Sequence, residues 1–177
     1  PLRELLLIVN PRSGVRRGRQ VLEQVQGILR DGGFRLTVIE TRTAGHATQL
    51  VHDAQLDEFE ALGVIGGDGT LHEVLNGLLN REDARQLPIA VFPSGTGNTV
   101  MDHLDCLDPI QVARHLIAGH TCPIDVARVV MHDRVAYCCN IVGWGVVTDI
   151  NATAERLRWL GPYRYTMATL RHLISPR

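Results

Sequence analysis

Short apolar runs alternate with helical patterns over the first two-thirds of the chain, and several of these runs end in a loop of small residues. "ELLLIVN" (4–10), "RLTVIET" (35–41), "ALGVIGG" (61–67) and "LPIAVFP" (87–93) read as strands. Most are nearly continuous in apolar residues, which fits strands covered on both faces. Between them lie an amphipathic helix over 16–33 with a glycine stop, and a helix over 44–55. A third helix spans 69–80, with Leu71, Val74, Leu75, Leu78 and Leu79 on its apolar side. A short helix over 98–104 is followed by one over 108–120, with Asp108 as N-cap and Pro109 in the first turn. This alternation predicts an α/β fold: a parallel sheet flanked by helices.

From about residue 122 the pattern changes. "CPIDVARVVMH" and "RVAYCCNIVGWGVV" read as antiparallel strands meeting at a tight turn, followed by helices over 153–160 and 163–174. The expected division is 1–121, an α/β domain, and 122–177, the start of an antiparallel β-rich second domain with a helical insertion. The second part is too short to close a β-domain, so the chain is expected to stop inside it.

With 177 residues, 45% of them apolar, and a net charge of −1, the chain suits a globular protein without a nucleic-acid footprint. No apolar run reaches the roughly 18 residues of a membrane span. The four cysteines form no C-x-x-C pair, and the eight histidines show no metal spacing. They read as reduced thiols of a cytoplasmic protein. All 18 basic residues are arginine. A Walker-type, kinase-strand or Schiff-base lysine is therefore excluded. Phosphate would have to be met by backbone N–H groups, arginine or a metal.

Ligands of open parallel sheets bind beyond the C-terminal ends of the strands. Three such ends carry "NPRSG" (10–14), "GGDGT" (66–70) and "PSGTGN" (93–98). Glycine lets backbone amides approach closely, and helix N-termini favour anions. Together the loops predict a polyphosphate-binding edge without lysine. Asp68 stands alone among Gly66, Gly67 and Gly69 at a helix start, where a negative charge is favoured. Two roles stay open for it: helix cap, or general base.

In this order, "NPRSG", "GGDGTLHEVLNGL" and "PSGTGN" resemble the diacylglycerol kinase catalytic-domain family, which includes sphingosine, ceramide and bacterial lipid kinases. "TRTAGHA" (41–47) resembles its adenine-side segment and "PIDVARV" (123–129) the start of its second domain. The stretch from "GWGVVTDINATAERLR" resembles the sphingosine and ceramide branches. The resemblance implies a first domain of the NAD-kinase and phosphofructokinase type, and ATP-dependent, Mg²⁺-assisted phosphorylation of a lipid hydroxyl. Asp68 matches the family's catalytic acid. Asn10, Pro11, Arg12, Thr41, Gly45, Gly67, Gly69, Thr70, Gly95, Thr96 and Asn98 match the nucleotide side, with Asn98 bracing its loop. Arg158 and Arg164 match two arginines that hold ATP phosphates in sphingosine kinases; a solvated helix face is their plain alternative. Gly66, Asp149 and Asn151 are implied on the lipid side, and Asp125 as a metal ligand, with structural roles as the alternative for both aspartates.

Asn151 stands where sphingosine kinases carry an acid that pairs with the sphingoid ammonium. An ammonium without counter-charge is poorly stabilised in a lipid cleft. The departure favours a neutral-headed lipid such as diacylglycerol over a sphingoid base, with ceramide also open, unless Asp149 substitutes. The implied partners are a lipid at a membrane surface and no nucleic acid, with a homodimer left open. The implied location is cytoplasmic and peripheral to the membrane. Two rivals remain. NAD kinase shares GGDGT but is expected to carry an "NTG" type of loop where this chain has "PSGTGN". A non-catalytic nucleotide-binding module is the other.

Overall fold

The computed structural model describes residues 2–143 and 146–174. Four parallel strands form the main sheet: β1 (Arg3–Val9), β2 (Phe34–Glu40), β3 (Ala61–Gly66) and β4 (Ile89–Pro93), in the order β2-β1-β3-β4. The registers run Leu5 opposite Leu36 and Ala61, and Val64 opposite Val91.

Because strand side chains alternate between faces, β1 serves both layers. Leu5, Leu7 and Val9 pack with Val21, Val25 and Leu29 of α2 (Gly18–Asp31) and with Val112 of α6 (Pro109–Ile117). Leu6 and Ile8 pack on the other face with Ala47 and Val51 of α3 (His46–Asp53). The same cluster includes Val74 and Leu78 of α4 (Asp68–Leu79). All five of these β1 side chains are almost wholly buried, each worth about 1.5–3 kcal/mol.

The first helix starts later than the periodicity suggests. Residues 13–16 form one turn, α1 (Ser13–Arg16), broken at Gly14 with φ 56° and ψ −141°, and Arg16 has φ 61°. The chain thus turns sharply before α2. The short α5 (Thr99–His103) follows β4. The Asp108 cap of α6 forms as expected, its Oδ1 accepting the Ile110 N–H at 2.9 Å.

The hairpin pairs β5 (Ala127–Met131) with β6 (Arg134–Cys138), antiparallel, around His132 and Asp133. Its strands are shorter than the apolar runs that announced them. The chain divides into two compact units, 1–140 and 141–177. The hairpin belongs with the first unit, tied there by Asn76. The Asn76 side chain accepts the Tyr137 N–H and donates to the Tyr137 carbonyl, both at 2.8 Å.

The second unit holds α7 (Val146–Arg156), a 3₁₀ turn (Arg158–Tyr163) and α8 (Arg164–Ile174). Val146 and Val147, expected at the end of a strand, open α7 instead. The helix is set by Ile150 and Ala154, four residues apart on one face, and Ala154 and Ala168 are fully buried where α7 meets α8. Residues 144 and 145 of the expected strand lie outside the described residues. Among the described residues, no helix is long and apolar enough to cross a membrane.

Candidate active site at the switch edge of the sheet

The chain leaves β1 toward α2 on one face of the sheet and leaves β3 toward α4 on the other. The loops after β1 and β3 therefore part at a topological switch point, where α/β sheets bind ligands. The three glycine-rich loops meet there.

They are pinned together by their own atoms. The Asn10 amide donates to Thr70 Oγ1 at 3.0 Å, and Asn10 Oδ1 accepts the Arg12 N–H at 3.0 Å. Ser13 and Ser94, both buried, share a hydroxyl–hydroxyl hydrogen bond. Two glycines make the closest approach: a Cβ on Gly95 would sit 2.5 Å from the Gly67 Cα. Asn98 folds back on its loop, accepting the Gly95 N–H at 3.0 Å and donating to the Gly95 carbonyl at 2.8 Å. Its left-handed backbone (φ 52°) suits asparagine. The Ser13–Ser94 contact, between residues 81 apart, leaves no local signal in the sequence.

Asp68 opens α4, but Gly67 is the cap residue and no side chain caps that helix. The carboxylate instead reaches the start of α5. Its Oδ2 accepts the Thr99 N–H at 3.1 Å and the Thr99 hydroxyl at 3.2 Å, and its Oδ1 faces the Val100 N–H at 3.4 Å. So Asp68 caps the following helix rather than its own. It lies between two helix starts, half-buried, with Gly97 so close that a Cβ there would be 2.9 Å from Oδ2. On the open side, a Cβ at Gly69 would meet nothing among the described residues. That side is free for a ligand to approach.

Thr41 and Gly45 join this edge from the end of β2. The Thr41 N–H bonds to the Val9 carbonyl at 2.8 Å. Gly45 (φ 80°) donates to Glu73 Oε1 at 2.9 Å, and Ala47 donates to Glu73 Oε2 at 3.1 Å. The Thr48 hydroxyl also donates to the Glu73 carbonyl. Glu73 therefore anchors the start of α3 to α4, a role the sequence pattern did not reveal. Pro11 is half-buried, while Arg12, Gly69 and Thr96 are exposed at the rim. Gly66 is buried: a Cβ would run into the Thr70 side chain at 2.5 Å, and its carbonyl accepts the Ser94 and Gly95 N–H groups. Its contribution is close packing beneath the loops.

Asp125 is exposed in the stretch before β5. Among the described residues no three His, Cys, Asp or Glu side chains converge as a metal site. At the switch edge, Asp68 accepts the α5 donors and Glu73 the α3 amides.

Within the second unit, Asp149 and Asn151 are both exposed on α7. Two residues apart on a helix, they point about 200° apart, so Asp149 cannot present its charge from the direction Asn151 takes. The Arg164 guanidinium is mostly buried. It pairs with Glu155 at 3.3 Å, donates to the Tyr165 hydroxyl at 2.9 Å and stacks over that ring at 4.7 Å. Its Nε is buried without a partner among the described residues. The Arg158 side chain lies outside the described part.

A sheet of this order, with an acid among glycines at its switch point, is found in a known kind of domain. A model of the diacylglycerol kinase catalytic domain matches residues 4–129, and the chain belongs to that family. It is 32% identical to sphingosine kinase 1 of Arabidopsis thaliana, over 99% of this chain and 38% of that protein. It is 34% identical to sphingosine kinase 2 of Homo sapiens, over 94% of this chain and 28% of that one. A crystal structure of a diacylglycerol kinase from Bacillus anthracis str. Sterne superposes with a TM-score of 0.61 at 29% identity, over 70% of this chain and 42% of the other. The chain thus spans less than half the length of these relatives.

Proposed function

We propose that the protein carrying this chain is an ATP-dependent lipid kinase. The carrying observation is the position of Asp68: fixed by three donors at the start of α5, flanked by glycines, at the edge where the phosphate loops meet. In this reading the N–H groups of 10–14, 66–70 and 93–98 line the polyphosphate of ATP, with Arg12 at the rim. Thr41, Gly45 and Thr96 contact the rest of the nucleotide, and Arg158 and Arg164 are cations for its phosphates. Mg²⁺, carried in with the nucleotide, neutralises phosphate charge.

Asp68 accepts the proton of the lipid hydroxyl as that oxygen bonds to the γ-phosphorus and the bond to ADP breaks. Glycines on both sides leave room for nucleotide and alcohol together. Residues 122–177 then belong to a lipid-binding domain that the whole protein completes. A lipid acceptor puts the protein at a membrane surface, peripherally and on the cytoplasmic side.

Asn151 favours a neutral-headed acceptor of the diacylglycerol type. A second reading, a sphingoid base, is favoured by relatives named sphingosine kinases that match 94–99% of the chain. The test is phosphotransfer by the full-length protein from radiolabelled ATP to diacylglycerol, ceramide or sphingosine in mixed micelles, with NAD⁺ as a further acceptor. Label on a lipid is the expected result, and which lipid decides the meaning of Asn151. Label on NAD⁺ alone, or on no acceptor, would refute the proposal.

A further inference from the structure

The two oxygens of Asp68 are held unequally. Oδ2 accepts the Thr99 N–H at 3.1 Å and the Thr99 hydroxyl at 3.2 Å. Oδ1 meets the Val100 N–H at 3.4 Å, beyond the usual hydrogen-bond distance. Each oxygen of an ionised carboxylate has about two lone-pair sites. Two donors therefore fill Oδ2, while Oδ1 keeps capacity to accept. Crowding runs the same way. A Cβ at Gly97 would lie 2.9 Å from Oδ2, whereas one at Gly69 would meet nothing among the described residues.

The Thr99 hydroxyl does more than a helix start requires. The first N–H groups of a helix need acceptors, and Asp68 already serves those of Thr99 and Val100 in α5. An aliphatic side chain at 99 would leave that cap in place. Thr99 is exposed, so water is open to its hydroxyl, yet the hydroxyl bonds to the carboxylate. What this adds is control of rotation. The χ2 torsion of aspartate is broad, and it decides which way each oxygen faces. Two donors from one residue, both on Oδ2, fix that torsion.

We propose that Thr99 is the positioning residue of phosphoryl transfer: its N–H and hydroxyl tie down Oδ2 and leave Oδ1 to take the proton of the acceptor hydroxyl. This rests on the lipid-kinase reading and deepens it, by dividing the work between the two oxygens. The acceptor oxygen bonds to the γ-phosphorus, the bond from phosphorus to ADP breaks, and the hydroxyl proton ends on Oδ1. A carboxylate turned out of line costs rate rather than affinity, because its work is done as the proton leaves.

Thr99→Val removes the hydroxyl, keeps the shape and leaves both N–H donors. The full-length variant is assayed with ATP and mixed micelles of dioleoylglycerol, ceramide and sphingosine in turn. With the lipid that the parent phosphorylates, kcat should fall about three- to tenfold. KM for ATP and for the lipid should stay within about twofold of the parent, and Tm within about 2 °C, since the position is exposed. Thr99→Ser keeps the donor and should hold kcat within about twofold. In an Asp68→Asn background, Thr99→Val should change kcat by less than about twofold, because the two side chains act as a unit. An unchanged kcat in Thr99→Val would overturn the inference and leave the kinase reading standing. So would an equal loss in Thr99→Ser, a loss confined to KM for ATP, or the full loss again in the Asp68→Asn background. A parent that phosphorylates none of the three lipids would refute the kinase reading, and the role of Thr99 with it.

Discussion

Asn76 is a sharp place to test how the hairpin is held to the site. It is nearly buried on α4, two turns beyond Asp68, and its amide donates to the His72 and Tyr137 carbonyls at 2.8 Å while its oxygen accepts the Tyr137 N–H at 2.8 Å. In Asn76→Ala both backbone groups of Tyr137 lose their partner. Each half-buried group left unpaired costs about 1 kcal/mol. The bond to His72 is local to the helix, and alanine regains about 0.5 kcal/mol of helix propensity. The net loss is about 1.5 kcal/mol, a fall in Tm of about 3–6 °C for a chain of this size. Amide exchange at Tyr137 should quicken about tenfold, and more than in β1 or β3, because the opening is local. Asn76→Asp should be worse than alanine, since it keeps the acceptor but aims a carboxylate at two carbonyl oxygens. Thermal melts and residue-level hydrogen exchange check both variants. A Tm within about 1 °C of the parent in Asn76→Ala, with unchanged exchange at Tyr137, would refute the reasoning.

Two further outcomes follow from other contacts. Glu73→Gln leaves one oxygen to serve the Gly45 and Ala47 N–H groups, so the 41–47 segment loosens; KM for ATP should rise about three- to tenfold with kcat little changed. Arg81 caps the end of α3, donating to the carbonyls of Val51, His52 and Ala54, and its hydrogen bonds to Asp83 hold that carboxyl at about 2, below the usual 3.8. The folded-state value is depressed, so the stabilisation is fully present above about pH 4 and is lost as pH falls through about 2. The urea midpoints of the parent and Asp83→Asn should therefore differ at neutral pH and converge near pH 2.

What was legible in the sequence follows from how local each signal is. β1 and β3 are continuous apolar runs, and α4 has a clear apolar side, so period and length were sufficient. The loops "NPRSG", "GGDGT" and "PSGTGN" named the edge because glycine is needed where Gly67 and Gly95 approach and where Gly97 makes room for Asp68. The roles of Glu73, Asn76 and the Ser13–Ser94 pair were not legible, because each depends on atoms 26 to 81 residues away. The cap made by Asp68 was assigned to the nearest helix in sequence, α4; the fold brings α5 closer to its oxygens. At α7, two valines after glycine looked like a strand end, and packing of Ala154 at the α8 contact overrode that preference.

In the proposed reaction Asp68 takes the proton of a lipid hydroxyl. Asp68→Asn is the most direct test, because asparagine can still accept from Thr99 through one oxygen and should cost at most about 2 kcal/mol in stability. With the full-length protein and the best lipid acceptor, kcat should fall at least about 100-fold while the variant stays folded and binds ATP. Activity within about threefold of the parent would contradict the claim and leave Asp68 as the cap of α5.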